Sequence, residues 1–499
     1  MNCELCINDR DFIKKHLKDD VNKLALSKFP EDIDKQFVIR QIQARQVLSK
    51  KLPSWAENDE LIFPKKLSLE QCSSELTAKY KSSLVKGKTL IDLTGGMGVD
   101  TSFLSDNFEK VFYVEMQEEL CEIAKHNFKV LNKNIEVVND NAEHFLTICD
   151  EVDCIYLDPA RRDEYGRKMV SLHDCSPDVV DLHDLLFKKA KTILIKVSPM
   201  LDIEMVKKEL KDIAEIHVVA VRNECKEILI KTQRHKDAKT QSVENSATSI
   251  FEDTKTQRHK DAKIQSVEDS ATLSLCDSES LRLCDSATLI NVIDLREGWN
   301  ISFNENEEHD AQWTLADEIG KYLYEPGVAC MKTGCFKLLS QRYGLDKLHR
   351  NSHLYTSDEL VSDFPGRIFE VLNVVPFDKK TKKSLWETQR HKDTKNDSAT
   401  LSLCDSATLI FEDAKTQRRK DTKNDSATLS LCDSESLRLC DSATLKKASV
   451  ATRNFPLSAD ELRKNLGLQD GSDFYIFGTT MKGEKKVVVL AKKTQNFER

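Results

Sequence analysis

Long apolar runs are what this chain lacks most plainly. Nowhere in its 499 residues does a stretch approach the roughly 18 apolar residues of a bilayer span. Met1–Arg10 also lacks the apolar core of a signal peptide, so a cytoplasmic location is expected. Metal-ligand spacing is missing too: Cys3 and Cys6 form a C-x-x-C pair with neither a second pair nor a histidine at zinc distance. The other cysteines are scattered, and Cys276, Cys284, Cys404, Cys432 and Cys440 sit inside repeats. A reducing compartment accounts for them better than a disulfide framework, and no metal site is expected. Positive charge is not in excess either. The formal net charge of −8 argues weakly against nonspecific polyanion binding but hides local patches, such as residues 446–499, where Lys and Arg outnumber Asp and Glu.

Two stretches are nearly without aromatics. Thr232–Leu289 and Thr388–Leu445 are built from T-Q-R-H-K-D, D-S-A-T-L and S-L-C-D-S units, and the string Asp269–Leu289 recurs identically at Asp425–Leu445. Packed repeats drift around their core positions, so identity of this kind points to duplicated coding sequence. Little in this composition could offset the entropy of ordering, and both stretches are expected to be disordered inserts.

What is present is organised around Thr89–Asp100, T-L-I-D-L-T-G-G-M-G-V-D. A short apolar run ends in Asp92, a glycine cluster comes next (Gly95, Gly96, Gly98), and helical spacing begins at Val99. Such a turn can close an ordinary strand-to-helix loop or bring bare backbone against a ligand. The residues downstream favour the ligand. Lys110–Glu115 (K-V-F-Y-V-E) is another strand ending in an acid, where a ribose diol is gripped in nucleotide-binding folds. A helix over Gln117–Leu131, a strand over Ile135–Val138 and then Asn139-Asp140-Asn141-Ala142 continue the pattern.

The order D-x-x-G-G-x-G, Y-V-E, N-D-N-A and then Y-L-D-P-A-R-R (Tyr156–Arg162) resembles the class I S-adenosylmethionine-dependent methyltransferases over about Leu67–Lys231. The resemblance implies that Asp92 and the Gly95, Gly96 and Gly98 backbone face the methionine end of S-adenosylmethionine. It likewise implies that Glu115 binds the ribose hydroxyls and that Asp140 contacts the adenine amino group, with Ala142 beside the ring. Thr94 departs from the pattern, standing where many members have glycine and adding a hydroxyl near the methionine moiety. Strands Cys154–Leu157 and Thr192–Ser198, a hairpin of Ile216–Arg222 and Glu227–Lys231 turned at Asn223-Glu224, and intervening helices complete a Rossmann-like seven-stranded α/β domain.

Methyl transfer is an in-line displacement helped chiefly by positioning, so the tip of the fourth strand should carry the acceptor-facing groups. Asp158, Pro159 and Arg161 occupy it and are the candidate catalytic residues. In the related base-amine enzymes a second proline and an aromatic stand where this chain has Ala160 and Arg161. A stacking ring would then come from Tyr156, Tyr165 or elsewhere, unless the target is not an exocyclic amine. Arg161 or Arg162 would hold a phosphate or base edge, or else close a salt-bridged loop. Strand five, Lys196-Val197-Ser198-Pro199, has no cysteine, which disfavours covalent attack at pyrimidine C5. A nitrogen acceptor is therefore expected, with Asp158 binding or deprotonating it.

The N-terminal region, residues 1–66, shows helical spacing with Arg40, Arg45, Lys50 and Lys51 on other faces, read as a packing appendage or an RNA-contacting surface. Leu69–Leu84 is a helix that either covers the cofactor's mouth through Gln71 and Ser74 or simply packs. With the methyltransferase domain at 67–231 and inserts at 232–289 and 388–445, two small α+β domains remain. Residues 290–375 suggest a ferredoxin-like domain, rich in Lys332, Lys337, Arg342, Lys347, His349 and Arg350. Residues 376–387 and 446–499 suggest helix plus hairpin. Together with F-P-G-R at Phe364–Arg367, these parts resemble a bacterial methyltransferase family with a ferredoxin-like domain and a C-terminal THUMP-like domain. That resemblance implies structured RNA as substrate, and no obligate protein partner is evident. A protein or small-molecule methyltransferase, or a nonenzymatic RNA-binding protein with a vestigial cofactor fold, are the alternatives.

Overall fold

A computed structural model describes residues 5–161, 171–234, 288–385, 447–471 and 473–494. The inserts expected to be disordered lie almost entirely outside these residues, as do Cys3, Arg162 and Tyr165. The chain divides into two compact units, one formed by Met1–Asp310 with Gly327–Cys335 and the other by Ala311–Pro326 with Phe336–Arg499.

The first unit is built on one sheet. In chain order its strands are β1 Gly87–Asp92, β2 Phe108–Glu115, β3 Ile135–Asn139, β4 Val152–Leu157 and β5 Ala190–Val197, then β6 Ile213–Val221, β7 Glu224–Gln233, β8 Leu289–Asp294 and β9 Trp299–Asn304. Their spatial order is β9-β8-β6-β7-β5-β4-β1-β2-β3. The first five strands run parallel, and β7 runs antiparallel between β5 and β6. Strands covered on both faces read as continuous apolar runs, which is why Leu90, Ile91, Ile155, Leu194 and Ile228 are all buried.

Register is what assembles the site. Asp92 lies opposite Tyr113 and Tyr156, Leu157 opposite Ile195, and Val197 opposite Ile228. The residues just beyond these pairs, Glu115, Asp158, Lys196 and Glu227, therefore gather at one edge of the sheet. This is the carboxyl edge of the parallel strands, where open α/β sheets bind ligands at the point of strand-order reversal.

Four features differ from the sequence expectation, the first being the helix expected over Leu69–Leu84, which is two helices, Lys66–Gln71 and Glu75–Leu84. Residues 289–304 do not join the small C-terminal domain: β8 pairs in parallel with β6 and carries β9 on its outer side. A short apolar strand such as V-I-D-L fits either sheet, and β6 offered a free edge. The β6–β7 hairpin turns at Arg222-Asn223, both with positive φ (54° and 58°), the left-handed pair that suits the twist of a two-residue hairpin. Arg45, expected on another face of its helix, is buried. It donates to the carbonyls of Asn58, Asp59 and Leu61, tying the preceding helix Lys35–Leu48 to the linker, and desolvation lowers its pKa to about 10. Leu48, Leu52, Trp55 and Phe63 pack with Met97 and Val99, so this appendage buttresses the glycine turn. Cys6 caps the first helix, accepting from the Asp9 amide at 3.4 Å.

The second unit holds a seven-stranded sheet ordered Asp346–Lys347, Tyr355–Ser357, Tyr322–Pro326, Gly366–Pro376, Lys485–Lys493, Phe474–Met481, Ser449–Arg453. Gly366–Pro376 pairs with Tyr322–Pro326 on one side and Lys485–Lys493 on the other. The ferredoxin-like and THUMP-like segments thus share one continuous sheet. Among the described residues no helix is long and apolar enough to cross a membrane.

Candidate active site

A cleft of about 1620 Å³ opens at the carboxyl ends of β1, β2, β4 and β5 and the amino end of β7. The glycine turn after β1 forms its floor. A Cβ on Gly95 would lie 2.2 Å from the buried Tyr113 ring, and one on Gly98 would lie 2.8 Å from Phe128. Gly96 has φ +54° and only the Thr94 carbonyl oxygen, at 3.8 Å, near its Cβ direction, so its requirement is conformational and its outer face is open.

The Gly96 and Gln117 amides each donate to one oxygen of the Glu115 carboxylate at 2.9 Å. Both oxygens keep further lone pairs for a diol, because an ionised carboxylate accepts about four hydrogen bonds. Beside Glu115, Met116, Leu120 and Ala142 line the cleft with apolar surface. Met116, 69% exposed, was missed in the sequence, although its place directly after the acid at a strand end was the available signal. Glycine floor, diol acceptor and apolar wall together fit an adenosine-bearing ligand.

Asp92 is fully buried. It accepts from the Thr94 amide at 2.9 Å and the Thr101 hydroxyl at 2.5 Å, yet desolvation raises its pKa to about 7. Thr94 does more than add bulk: its hydroxyl accepts from the Asp158 amide at 2.6 Å, joining the β1 turn to the tip of β4, a link that glycine could not make.

Asp140 does not line the cleft. Its carboxylate accepts from the Asn141 amide at 2.8 Å and pairs with His144 Nδ1 at 2.6 Å, and the His144 bond holds its pKa below the usual range. The carboxylate thus bridges the end of β3 and the helix Ala142–Ile148.

Tyr156 is likewise placed otherwise than expected. Only 1% exposed, it sits in the core with Leu90, Leu104 and Leu194, and its hydroxyl donates to Asp100 at 2.7 Å. The ring is packed in the core while the residue also borders the cleft. Pro159 and Asp158 do line the cleft. Ala160-Arg161 pairs with Cys175-Ser176 as a short antiparallel ribbon, so the backbone of Arg161 is anchored beside the cleft.

The largest feature missed from the sequence is a buried ionic cluster. Lys196 forms an ion pair with Asp158. Lys81, fully buried, donates to both oxygens of Glu227 at 2.8 and 2.9 Å and to Ser73 at 3.0 Å, and lies 3.3 Å from Asp100. Burial alone would lower the pKa of Lys196, but the charges of Asp158, Asp100 and Glu227 raise it above its ordinary value. Asp100, which burial would push up, is held below its usual range by Lys81 and Lys196. The signal in sequence was the lysine interrupting T-I-L-I-K-V.

At the mouth, Asp294 presents two arginines. Its buried carboxylate accepts from the Arg222, Arg296 and Glu297 amides at 3.0 to 3.1 Å and from Asn223 at 2.6 Å. Arg222 and Arg296 line the cleft with Lys50, Lys51, Lys79 and Lys226. Among the described residues one other group, His173, Asp178 and Asp181, brings metal-ligand atoms together. It is mostly exposed, and Asp178 already caps the helix Val179–Lys189.

A known structure shares this fold. A presumed methyltransferase from Porphyromonas gingivalis W83 aligns over 98% of each chain at 28% identity, with a TM-score of 0.69. The fold is that of a class I methyltransferase. Family comparison adds a ferredoxin-like domain at residues 322–365 and a THUMP-like domain at 430–493, the accessory pair expected beside this methyltransferase unit. Two more distant structures align with about a third of the chain at a TM-score of 0.25. One is an rRNA methylase from Streptococcus thermophilus (14% identity, 32% of this chain and 96% of that one). The other is a presumed methyltransferase from Streptococcus mutans in complex with S-adenosylhomocysteine (17% identity, 32% and 97%). No curated protein matches the chain.

Proposed function

We propose that this protein is an S-adenosylmethionine-dependent methyltransferase acting on structured RNA. The observation that carries the reading is the convergence, on one sheet edge, of a glycine floor, the doubly bonded Glu115 and the Asp158–Lys196 pair within a single cleft. Gly95, Gly96, Gly98, Glu115, Met116 and Ala142 would hold the cofactor's nucleoside part and Asp92 with Thr94 its methionine part, while the cofactor supplies an activated methyl group. Asp158 and Pro159 would face the acceptor.

Structured RNA is favoured by Arg222, Arg296, Lys50 and Lys51 in the cleft lining, where Lys79 and Lys226 are paired with Glu75 and Glu224, since phosphate contacts dominate nucleic-acid affinity. The THUMP-like match at 430–493 points the same way, by analogy of domain rather than by site. The D-P-A-R motif taken alone suits a nitrogen of a base. A cation bonded to Asp158 favours a competing reading, an oxygen acceptor.

The test is titration with S-adenosylhomocysteine, followed by radiolabelled methyl transfer into RNA from cells lacking the gene. A folded protein that neither binds the nucleoside nor labels RNA would overturn the proposal. Label found only in RNase-resistant protein would move the substrate to another class.

A further inference from the structure

The acceptor end of the cleft is lined by Asp158, Lys196 and Glu227, and the chemistry of these three restricts what can be methylated there. The Lys196 side chain is 14% exposed and sits against Asp158. Glu227, on the neighbouring antiparallel strand β7, is matched by the fully buried Lys81. Asp100, 3.3 Å from Lys81, belongs to the same cluster, so three acids share two lysines and Lys196 lines the cleft as a cation held against Asp158.

An ammonium donates three hydrogen bonds and accepts none. It cannot pair with the N–H groups of an exocyclic amine. At a ring nitrogen it would bind the one lone pair that must attack. A hydroxyl oxygen has two lone pairs, so one can accept from Lys196 while the other attacks, and the cation opposes the charge that builds as the proton leaves. Asp158, whose second oxygen Oδ1 is not the one paired to Lys196, is the neighbouring acceptor for that proton.

Resting on the reading of RNA methyl transfer, we propose that the acceptor is a hydroxyl oxygen, the ribose 2′-hydroxyl, with Lys196 and Asp158 as catalytic residues and Lys81 with Glu227 as positioning residues. The oxygen lone pair forms the new O–C bond, the electron pair of the breaking S–C bond remains on sulfur, and the hydroxyl proton passes to Asp158 and then to water. The base needs no stacking partner in this arrangement, which agrees with the burial of Tyr156. A ribose also lies next to the phosphates that Arg222 and Arg296 are placed to meet.

The experiment is the chemical position of the label. RNA from cells lacking the gene is methylated by the full-length protein with radiolabelled S-adenosylmethionine and then hydrolysed in alkali. A 2′-O-methyl group blocks cleavage of its own linkage, so label in alkali-resistant dinucleotides is the expected result. Label in mononucleotides would overturn the hydroxyl assignment while leaving RNA methylation intact, and RNA without label would overturn both. In parallel, Lys196→Met should lower transfer about 100-fold, the cost of losing one preorganised donor, while S-adenosylhomocysteine binding stays within about threefold of the parent by the affinity arithmetic. Lys196→Arg, which keeps the cation, should recover part of the rate. Equal loss in both variants with binding intact would remove the charge argument.

Discussion

Replacing Lys81 by methionine probes the ionic cluster where it is most deeply buried. Lys81 has no exposed surface and Glu227 has 2%, so Lys81→Met leaves a carboxylate without its nearest cation. Breaking one side of a buried pair costs about 3–5 kcal/mol. The charge of Lys196 also reaches Glu227, which puts the expected loss near the lower end, about 3 kcal/mol. For a unit of this size that is a fall in Tm of about 6–12 °C. The loss should also depend on pH. Burial already raises the pKa of Glu227, so the folded state holds its proton more tightly than the unfolded chain, and stability falls as pH rises from the unfolded value toward the folded one. Removing Lys81 raises the folded value further, so the variant should lose more at pH 8 than at pH 5. Lys81→Met combined with Glu227→Gln should recover much of the difference, because the stranded charge is gone. Urea and thermal unfolding at both pH values measure this. A single variant within about 0.5 kcal/mol of the parent, or a double variant no better than the single, would refute the view that these groups are coupled.

Three other outcomes are expected at the site. Asp92, with its pKa raised to about 7 by desolvation, should ionise when the cofactor's ammonium group arrives, so affinity for S-adenosylhomocysteine should rise with pH up to about 7; calorimetry in buffers of different ionisation enthalpy should detect the released proton, and Asp92→Asn should abolish the dependence. Gly95→Ala would set a methyl group 2.2 Å from the Tyr113 ring, which is wholly buried and cannot swing away; an overpacking loss of about 1–3 kcal/mol with weakened nucleoside binding is expected by thermal shift. Asp294→Ala removes the acceptor for four backbone amides and should loosen Arg222 and Arg296, lowering RNA affinity and its salt slope by about 1 in filter binding, with S-adenosylhomocysteine affinity unchanged.

What could be read from the residues divides by distance along the chain. The β1 turn and the acid of β2 were legible because each is a strand, a turn and a helix in sequence, and the glycines there meet Tyr113 and Phe128 from the next strand and helix. Strand-order reversal is implied by the alternation of strands and helices. Lys81 and Glu227 were not legible as partners: 146 residues separate them, and only the insertion of β7 between β5 and β6 brings them together. Tyr156 reads as a stacking ring in sequence because β4 is covered on both faces, so its pattern shows no parity from which to tell cleft from core. Asp140 also pairs with His144 one turn on, a local contact that the strand-end pattern does not show. Strands β8 and β9 read as part of the other sheet because an apolar strand does not name its partner.

The placement of β8 gives the nine-stranded sheet a physical purpose. A seven-stranded sheet would end at β6, leaving the left-handed Arg222-Asn223 turn with its amides unpaired beside the cleft. Adding β8 in parallel puts Asp294 opposite Ala220, directly under that turn, where one buried carboxylate satisfies the amides of Arg222 and Asn223 and those of Arg296 and Glu297. Because one carboxylate accepts from both loops, the hairpin and the loop after β8 are fixed together rather than separately. The same bonds hold the arginines of both loops at the mouth while the ionic cluster below fixes Lys196 against Asp158. Extension of the sheet thus fixes the arginines that would meet phosphate separately from the pair that would meet the acceptor, and a substitution at Asp294 should disturb the first without reaching the second.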